Sequence, residues 1–176
     1  MLVTMNGPHP ASLPEADLLA DCEIVRQRRG GPGGQHRNKV ETAVVITHRP
    51  TGIRAEASER RSQAENQKQA VRRLRLRLAT EVRVLPPVED GNVLPSLLWK
   101  SRSVGGRVAV NPEHEDFPTL LAESLDAVTA AEFDVAIAAK WLGVTTTQLV
   151  RFLQDEPRAW AAVNESRRQR GLRPLN

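Results

Sequence analysis

The residues with types and spacing suited to chemistry lie in Gly30-Gly31-Pro32-Gly33-Gly34-Gln35-His36-Arg37-Asn38-Lys39. Glycine costs too much backbone entropy for a helix or strand interior, and proline lacks a donor, so this stretch is a loop. Cations crowd both of its ends: Arg26, Arg28 and Arg29 before it, Arg37 and Lys39 within it. A backbone nearly stripped of side chains and set in positive charge suits close approach to a polyanion. Gln35 carries an amide that does not titrate near neutral pH, so it cannot serve as an ordinary general base. The four histidines and the single cysteine, Cys22, form no cluster with metal-ligand spacing, so neither a metal nor a cofactor is expected.

Length and charge set the frame for that loop. At 176 residues the chain suits one domain with a smaller second module. No apolar run approaches the roughly 20 residues of a membrane span. Met1-Leu2-Val3-Thr4 opens no secretory pattern, and one cysteine excludes an internal disulfide framework, so a reducing, cytoplasmic setting is expected. The net charge of +4 conceals an asymmetry. Residues 23–83 hold fifteen Lys or Arg against six Asp or Glu, whereas residues 112–164 hold three against nine. A basic domain joined to an acidic module predicts a nucleic-acid partner for the first.

The elements that position the loop follow in order. Residues 1–21, with Gly7, Pro8, Pro10 and Pro14, read as a flexible arm, with one or two helical turns near Pro14–Leu19. Cys22–Arg28 reads as a strand entering the loop, with Ile24 or Val25 packing. Thr42–His48 is rich in β-branched residues and reads as a second strand. Arg49-Pro50-Thr51-Gly52 is a turn, and Ile53–Ser58 alternates apolar and polar to complete a hairpin. Ser62-Gln63-Ala64-Glu65 has the pattern of a capping box. Val71, Leu74, Leu78 and Val82 then form one helical stripe that packs on the sheet, Arg72, Arg73, Arg75 and Arg77 face out, and Pro86-Pro87 ends the helix. Residues 22–84 therefore read as a domain.

Residues 85–112 read as a linker, with Leu97-Leu98-Trp99 as a candidate anchoring turn and Arg107–Val110 as a candidate short strand. Residues 113–164 read as helical. Leu120, Leu121, Leu125 and Val128 suit one helix, and Phe133, Ile137 and Trp141 a second. Thr145 caps a third after the turn at Leu142-Gly143-Val144, and Pro157 opens a fourth. Helix, turn and helix give the outline of a helix-turn-helix. Its acidity favours a helical cap or protein-docking module over a nucleic-acid reader. Residues 165–176 form a basic tail. The fold class expected is α+β: a small sheet with one long packed helix and a Gly-Gly-Gln loop, followed by a small all-helical module.

Gly31-Pro32-Gly33-Gly34-Gln35-His36, Asn38-Lys39, Thr47-His48, Pro50-Thr51-Gly52-Ile53 and Glu59-Arg60 with Arg61-Ser62-Gln63 together resemble the catalytic domain of class I peptide chain release factors. The order and spacing are the family's, and the resemblance covers about residues 22–83. Three residues recur by chance, but this constellation is specific. Gly30 stands where serine is usual, and Arg37 where an apolar residue, often valine, is common. Only 21 residues precede the first strand, and no Ser-Pro-Phe or Pro-any-Thr codon-reading segment occurs in a matching context. The chain is thus expected to be a short, codon-independent member, similar to ribosome-rescue hydrolases. The short tail after an acidic module departs from the long basic tail of the best-known bacterial rescue member.

The resemblance implies hydrolysis of peptidyl-tRNA on the ribosome, with large-subunit rRNA and peptidyl-tRNA as partners and no membrane. Gly33, Gly34 and Gln35 are the implied catalytic residues. The Gln35 backbone N–H would donate to the developing oxyanion or the leaving oxygen, worth about 3 kcal/mol, while its side chain holds water. Gly33 and Gly34 would supply unusual dihedrals and the absence of a Cβ. Arg28, Arg29, His36, Arg37, Asn38, Lys39, Arg60 and Arg61 are the candidate RNA-contacting residues; Arg60 and Arg61 are alternatively pairing with Glu59. Gln35 is also a candidate for N-methylation by a dedicated glutamine methyltransferase. A second class of reading is a ribosome- or RNA-associated quality-control adaptor, docking a protein or RNA partner through residues 113–176.

Overall fold

The computed structural model describes residues 3–27 and 42–176. In chain order its elements are β1 (Val3–Met5), a 3-10 turn at Pro10–Ser12, α1 (Glu15–Ala20), β2 (Cys22–Gln27), β3 (Ala43–His48), β4 (Arg54–Ala57), α2 (Gln63–Glu81), β5 (Val82–Val84), β6 (Val88–Glu89), β7 (Asn92–Val93), α3 (Leu97–Arg102), β8 (Ser103–Val104), β9 (Arg107–Val108), α4 (Phe117–Ala130), α5 (Val135–Trp141), α6 (Thr146–Gln154) and α7 (Pro157–Gln169). The architecture is α+β, as expected. The contacts divide the chain into two compact units, Pro10–Leu78 and Met1–His9 with Ala79–Asn176.

In the unit Pro10–Leu78, β2, β3 and β4 form an antiparallel sheet with β3 central. The β-branched run of β3 suits that place, because a central strand buries both faces: Val44, Val45 and Ile46 are all buried. Ile46 pairs with Ala55 and Val44 with Ala57. The hairpin turn closes through Gly52 N–H donating to the His48 carbonyl at 2.8 Å. Gly52 takes φ +70°, which a residue with a Cβ adopts only under strain. His48 Nδ1 lies 2.8 Å from Thr51 Oγ1, and burial pushes its imidazole below the usual range. The edge strand differs from expectation. Ile24 and Val25 are 36% and 38% exposed, and Cys22 is the buried apolar residue of β2.

Helix α2 opens as its sequence predicts, with Glu65 N–H donating to Ser62 Oγ at 3.4 Å. Ala70, Val71, Leu74 and Leu78 are buried along one face. The outward arginines are a correction. Arg73 Nη1 donates to the Glu56 carbonyl at 2.7 Å and Nη2 to Glu59 Oε1 at 2.7 Å. Arg75 donates to the carbonyls of Ala11 and Leu13, both at 2.7 Å, and Arg77 donates to that of Arg54. Long aliphatic stems let the guanidinium groups reach backbone acceptors on neighbouring segments.

The other unit begins with a second correction. The helix ends at Glu81, not at Pro86-Pro87, and Val82–Val84 is already a strand, parallel to Val3–Met5. β-branched Val82 and Val84 favour that pairing, and the residues 3–5 of the expected arm supply its partner. Arg83 turns back and donates to the carbonyls of Ala79 at 2.8 Å and Thr80 at 2.6 Å. Those are among the last-turn carbonyls a helix leaves without partners.

Residues 85–112 hold more structure than a linker. They contain the hairpins β6–β7 and β8–β9 with α3 between them. Ser96 caps α3, its Oγ accepting from Trp99 N–H at 3.0 Å and donating to Glu123 Oε2 at 2.6 Å. Trp99 is 1% exposed, donates its ring N–H to the Leu142 carbonyl at 2.8 Å, and meets Phe152 edge-on at 5.8 Å. Phe117 meets the same ring at 5.3 Å. Asp134 caps α5 and Thr145 caps α6. Phe133 lies before α5, buried at φ +67°, and Ile137 on α5 is exposed. Helix α7 runs through Gln169, into the stretch read as a tail.

Candidate nucleic-acid and hydrolytic site

The expected catalytic residues Gly33, Gly34 and Gln35 lie outside the described residues, as do Arg28, Arg29, His36, Arg37, Asn38 and Lys39. Arg60 and Arg61 are described. Around them the structure shows where the chain leaves and rejoins the sheet, and what holds the neighbouring turn.

Strands β2 and β3 run in register from Cys22 opposite His48 to Gln27 opposite Ala43. The pairing therefore continues to the last described residue before position 28. On the return side Thr42 precedes β3, and its carbonyl accepts from Asn66 Nδ2 at 2.7 Å. Asn66 also donates to the Arg60 carbonyl at 2.9 Å and accepts from the Arg60 N–H at 2.9 Å. One buried amide on the first turns of α2 thus ties the start of β3 to the β4–α2 turn.

That turn carries Arg60 and Arg61, both exposed. The alternative of pairing with Glu59 is not what the geometry gives: Glu59 is taken by Arg73 at 2.7 Å. The Glu59 carboxyl lies below its ordinary range, chiefly because the Ser58 N–H donates to it, with Arg73 adding to the effect. Neutralising Glu59 through Arg73 leaves two outward cations on a turn whose backbone is fixed, an arrangement suited to phosphate contact. Asn66 and Arg73 are site-forming residues that sequence reasoning missed. The available signal was Asn66 itself, a poor helix former placed just inside a helix. Among the described residues no group of three or more His, Cys, Asp or Glu could hold a metal ion.

Residues 16–86 match the family model of the RF-1 domain. Through that domain the chain belongs to the class I peptide chain release factor family. Similar proteins include Peptide chain release factor 1 of Symbiobacterium thermophilum, 52% identical over 59 residues, which is 34% of this chain and 17% of that protein. Peptide chain release factor PrfB1, chloroplastic, of Arabidopsis thaliana is 50% identical over 66 residues, 38% of this chain and 14% of its own length. Peptide chain release factor 1 of Acidiphilium cryptum is 47% identical over 79 residues, 42% of this chain and 22% of its own. The chain thus spans less than a quarter of the length of these relatives, and the match falls on the domain that bears the Gly-Gly-Gln loop.

Proposed function

We propose that this chain is a codon-independent peptidyl-tRNA ester hydrolase that works on the ribosome in termination or rescue. The observation that carries the reading is the RF-1 domain match over 16–86, which encloses Gly33-Gly34-Gln35. Water attacks the ester carbonyl, a tetrahedral oxyanion forms, and the ribose hydroxyl leaves with a proton. The Gln35 backbone N–H stabilises the developing charge, worth about 3 kcal/mol, and its side chain holds the water. Gly33 and Gly34 keep the approach free of side chains. Arg28, Arg29, His36, Arg37, Asn38, Lys39, Arg60 and Arg61 hold rRNA through contacts that carry no sequence information. The rRNA and tRNA supply the remaining groups, so the protein alone is nearly inert.

The exposed apolar side chains Leu85, Val88, Leu94, Leu97 and Val104 favour a second reading, a quality-control adaptor that docks a partner through the C-terminal unit. One experiment separates the two. Release of labelled peptide is measured on truncated mRNA, a stop codon, a sense codon and split large subunits, with wild type, Gln35→Ala and a chain lacking residues 113–176. Release on truncated mRNA or large subunits, lost with Gln35→Ala, supports the hydrolase. Release restricted to a stop codon overturns codon independence. Ribosome binding without release, in every state, moves the chain to the adaptor class.

A further inference from the structure

Asn66 is a buried polar side chain that the mechanism above does not use. It is 0% exposed. Both of its amide hydrogens are donated, to Thr42 at 2.7 Å and to Arg60 at 2.9 Å, and its oxygen accepts from Arg60 at 2.9 Å. Its own backbone N–H is used within the helix entry, donating to the Ser62 carbonyl at 3.1 Å. Leaving a buried polar group unpaired is costly, and here one side chain satisfies three backbone groups from two segments distant in sequence. Its position decides what that achieves. Thr42 lies one residue before the terminal strand pair, Gln27 opposite Ala43, so the amide holds the chain where it re-enters the sheet from residues 28–41. The second segment it holds is the turn that presents Arg60 and Arg61.

We infer that Asn66 is a positioning residue: it fixes the base of the Gly-Gly-Gln segment and the Arg60–Arg61 turn to one another, so that phosphate contact at the turn sets where Gln35 acts. The inference rests on the hydrolase reading. A carboxylate cannot replace the amide, because Asp at this place turns two donated hydrogens into an anion facing two carbonyl oxygens. Alanine leaves all three backbone groups without the side chain. A shift of about 1 Å in a reacting group costs on the order of a hundredfold in rate.

The test compares Asn66→Asp and Asn66→Ala with Val71→Ala, a buried α2 substitution that touches neither Thr42 nor Arg60. Single-turnover peptide release is read as a saturating rate and a half-saturating concentration, below each variant's unfolding temperature. Amide exchange at Arg60 is followed by NMR on the free protein. The expected result is a tenfold to hundredfold loss of saturating rate in both Asn66 variants, to order of magnitude, with half-saturation moving less. Arg60 exchange is faster in both. Val71→Ala keeps the rate despite a comparable loss of melting temperature. The Asn66→Asp rate, taken relative to wild type at the same pH, recovers as pH falls, since the protonated acid regains one donor. Wild-type rates in the Asn66 variants, or an equal loss in Val71→Ala, overturn the inference alone. A wild-type protein inert on every ribosome state overturns the hydrolase reading, and the catalytic role of Asn66 with it.

Discussion

Arg83 and Asp126 meet in the interior of the unit built from Met1–His9 and Ala79–Asn176, Nη1 to Oδ1 at 3.1 Å, with side chains 9% and 7% exposed. The same carboxylate oxygen accepts from the Val84 N–H at 3.1 Å. The guanidinium also closes the end of α2 through Ala79 and Thr80. Burial raises the Asp126 carboxyl and lowers the Arg83 guanidinium, and in each the desolvation outweighs the attraction of the partner. The pair therefore gives little net stability, yet each member is needed to compensate the other.

Asp126→Ala is expected to destabilise this unit by about 3–5 kcal/mol, because it strands a buried guanidinium. The double substitution Arg83→Met with Asp126→Leu recovers most of that loss. Trp99, Trp141 and Trp160 all lie in this unit, so tryptophan fluorescence during urea unfolding reports it alone. A single variant as stable as wild type would show that the charge is already relieved by other partners.

His9 gives an acid dependence with a definite sign. Its Nε2 lies 3.3 Å from the Val82 carbonyl, and burial lowers its imidazole from 6.5 to about 4. Between those values the unfolded chain binds the proton and the folded chain does not. His9 therefore contributes stability in full above 6.5, and loses it as pH falls toward 4, over a range worth about 3 kcal/mol. Asp126, with its raised carboxyl, acts in the opposite direction. The informative quantity is the wild-type stability minus that of His9→Gln, followed from pH 7 to 4. A difference that does not change with pH contradicts the assignment.

Arg60 and Arg61 are expected to act on phosphates rather than on stability. Replacing both with Ala should leave unfolding within about 0.5 kcal/mol of wild type. It should also reduce the slope of log affinity for ribosomes against log salt by about 1–2. An unchanged slope would remove both residues from the RNA-contacting set.

Trp99→Phe keeps a ring between α3 and α6 but loses the donor to the Leu142 carbonyl. The expected cost is about 1–3 kcal/mol, read by circular dichroism during urea unfolding. A neutral result would mean that the Leu142 carbonyl finds another donor.

What the sequence disclosed and what it withheld divide along physical lines. The hairpin around Gly52 and the cap at Ser62 were legible because turn chemistry and capping act within a few residues. The central strand at Val44–Ile46 was legible from its β-branched run. The end of α2 was not, because Val82–Val84 becomes strand only through Val3–Met5, about eighty residues upstream. Arg73, Arg75 and Arg77 looked like solvated cations because composition does not reveal a distant carbonyl. Residues 85–112 looked like a linker because strands of two residues are too short to show a period. Of the candidate site, Arg60 and Arg61 were named from the resemblance, while the hold that Asn66 exerts on them depends on a contact that no spacing encodes.

The parallel pairing of Val3–Met5 with Val82–Val84 also orders events in time. A chain emerging at about 5–20 residues per second presents its first strand some 4–16 seconds before the matching strand exists. All of Pro10–Leu78 is made in that interval. The segment that bears the Gly-Gly-Gln triplet can therefore complete its own contacts while the surrounding unit is still one strand short, and a deletion confined to the first nine residues would damage the later-made unit rather than the one beside it in sequence.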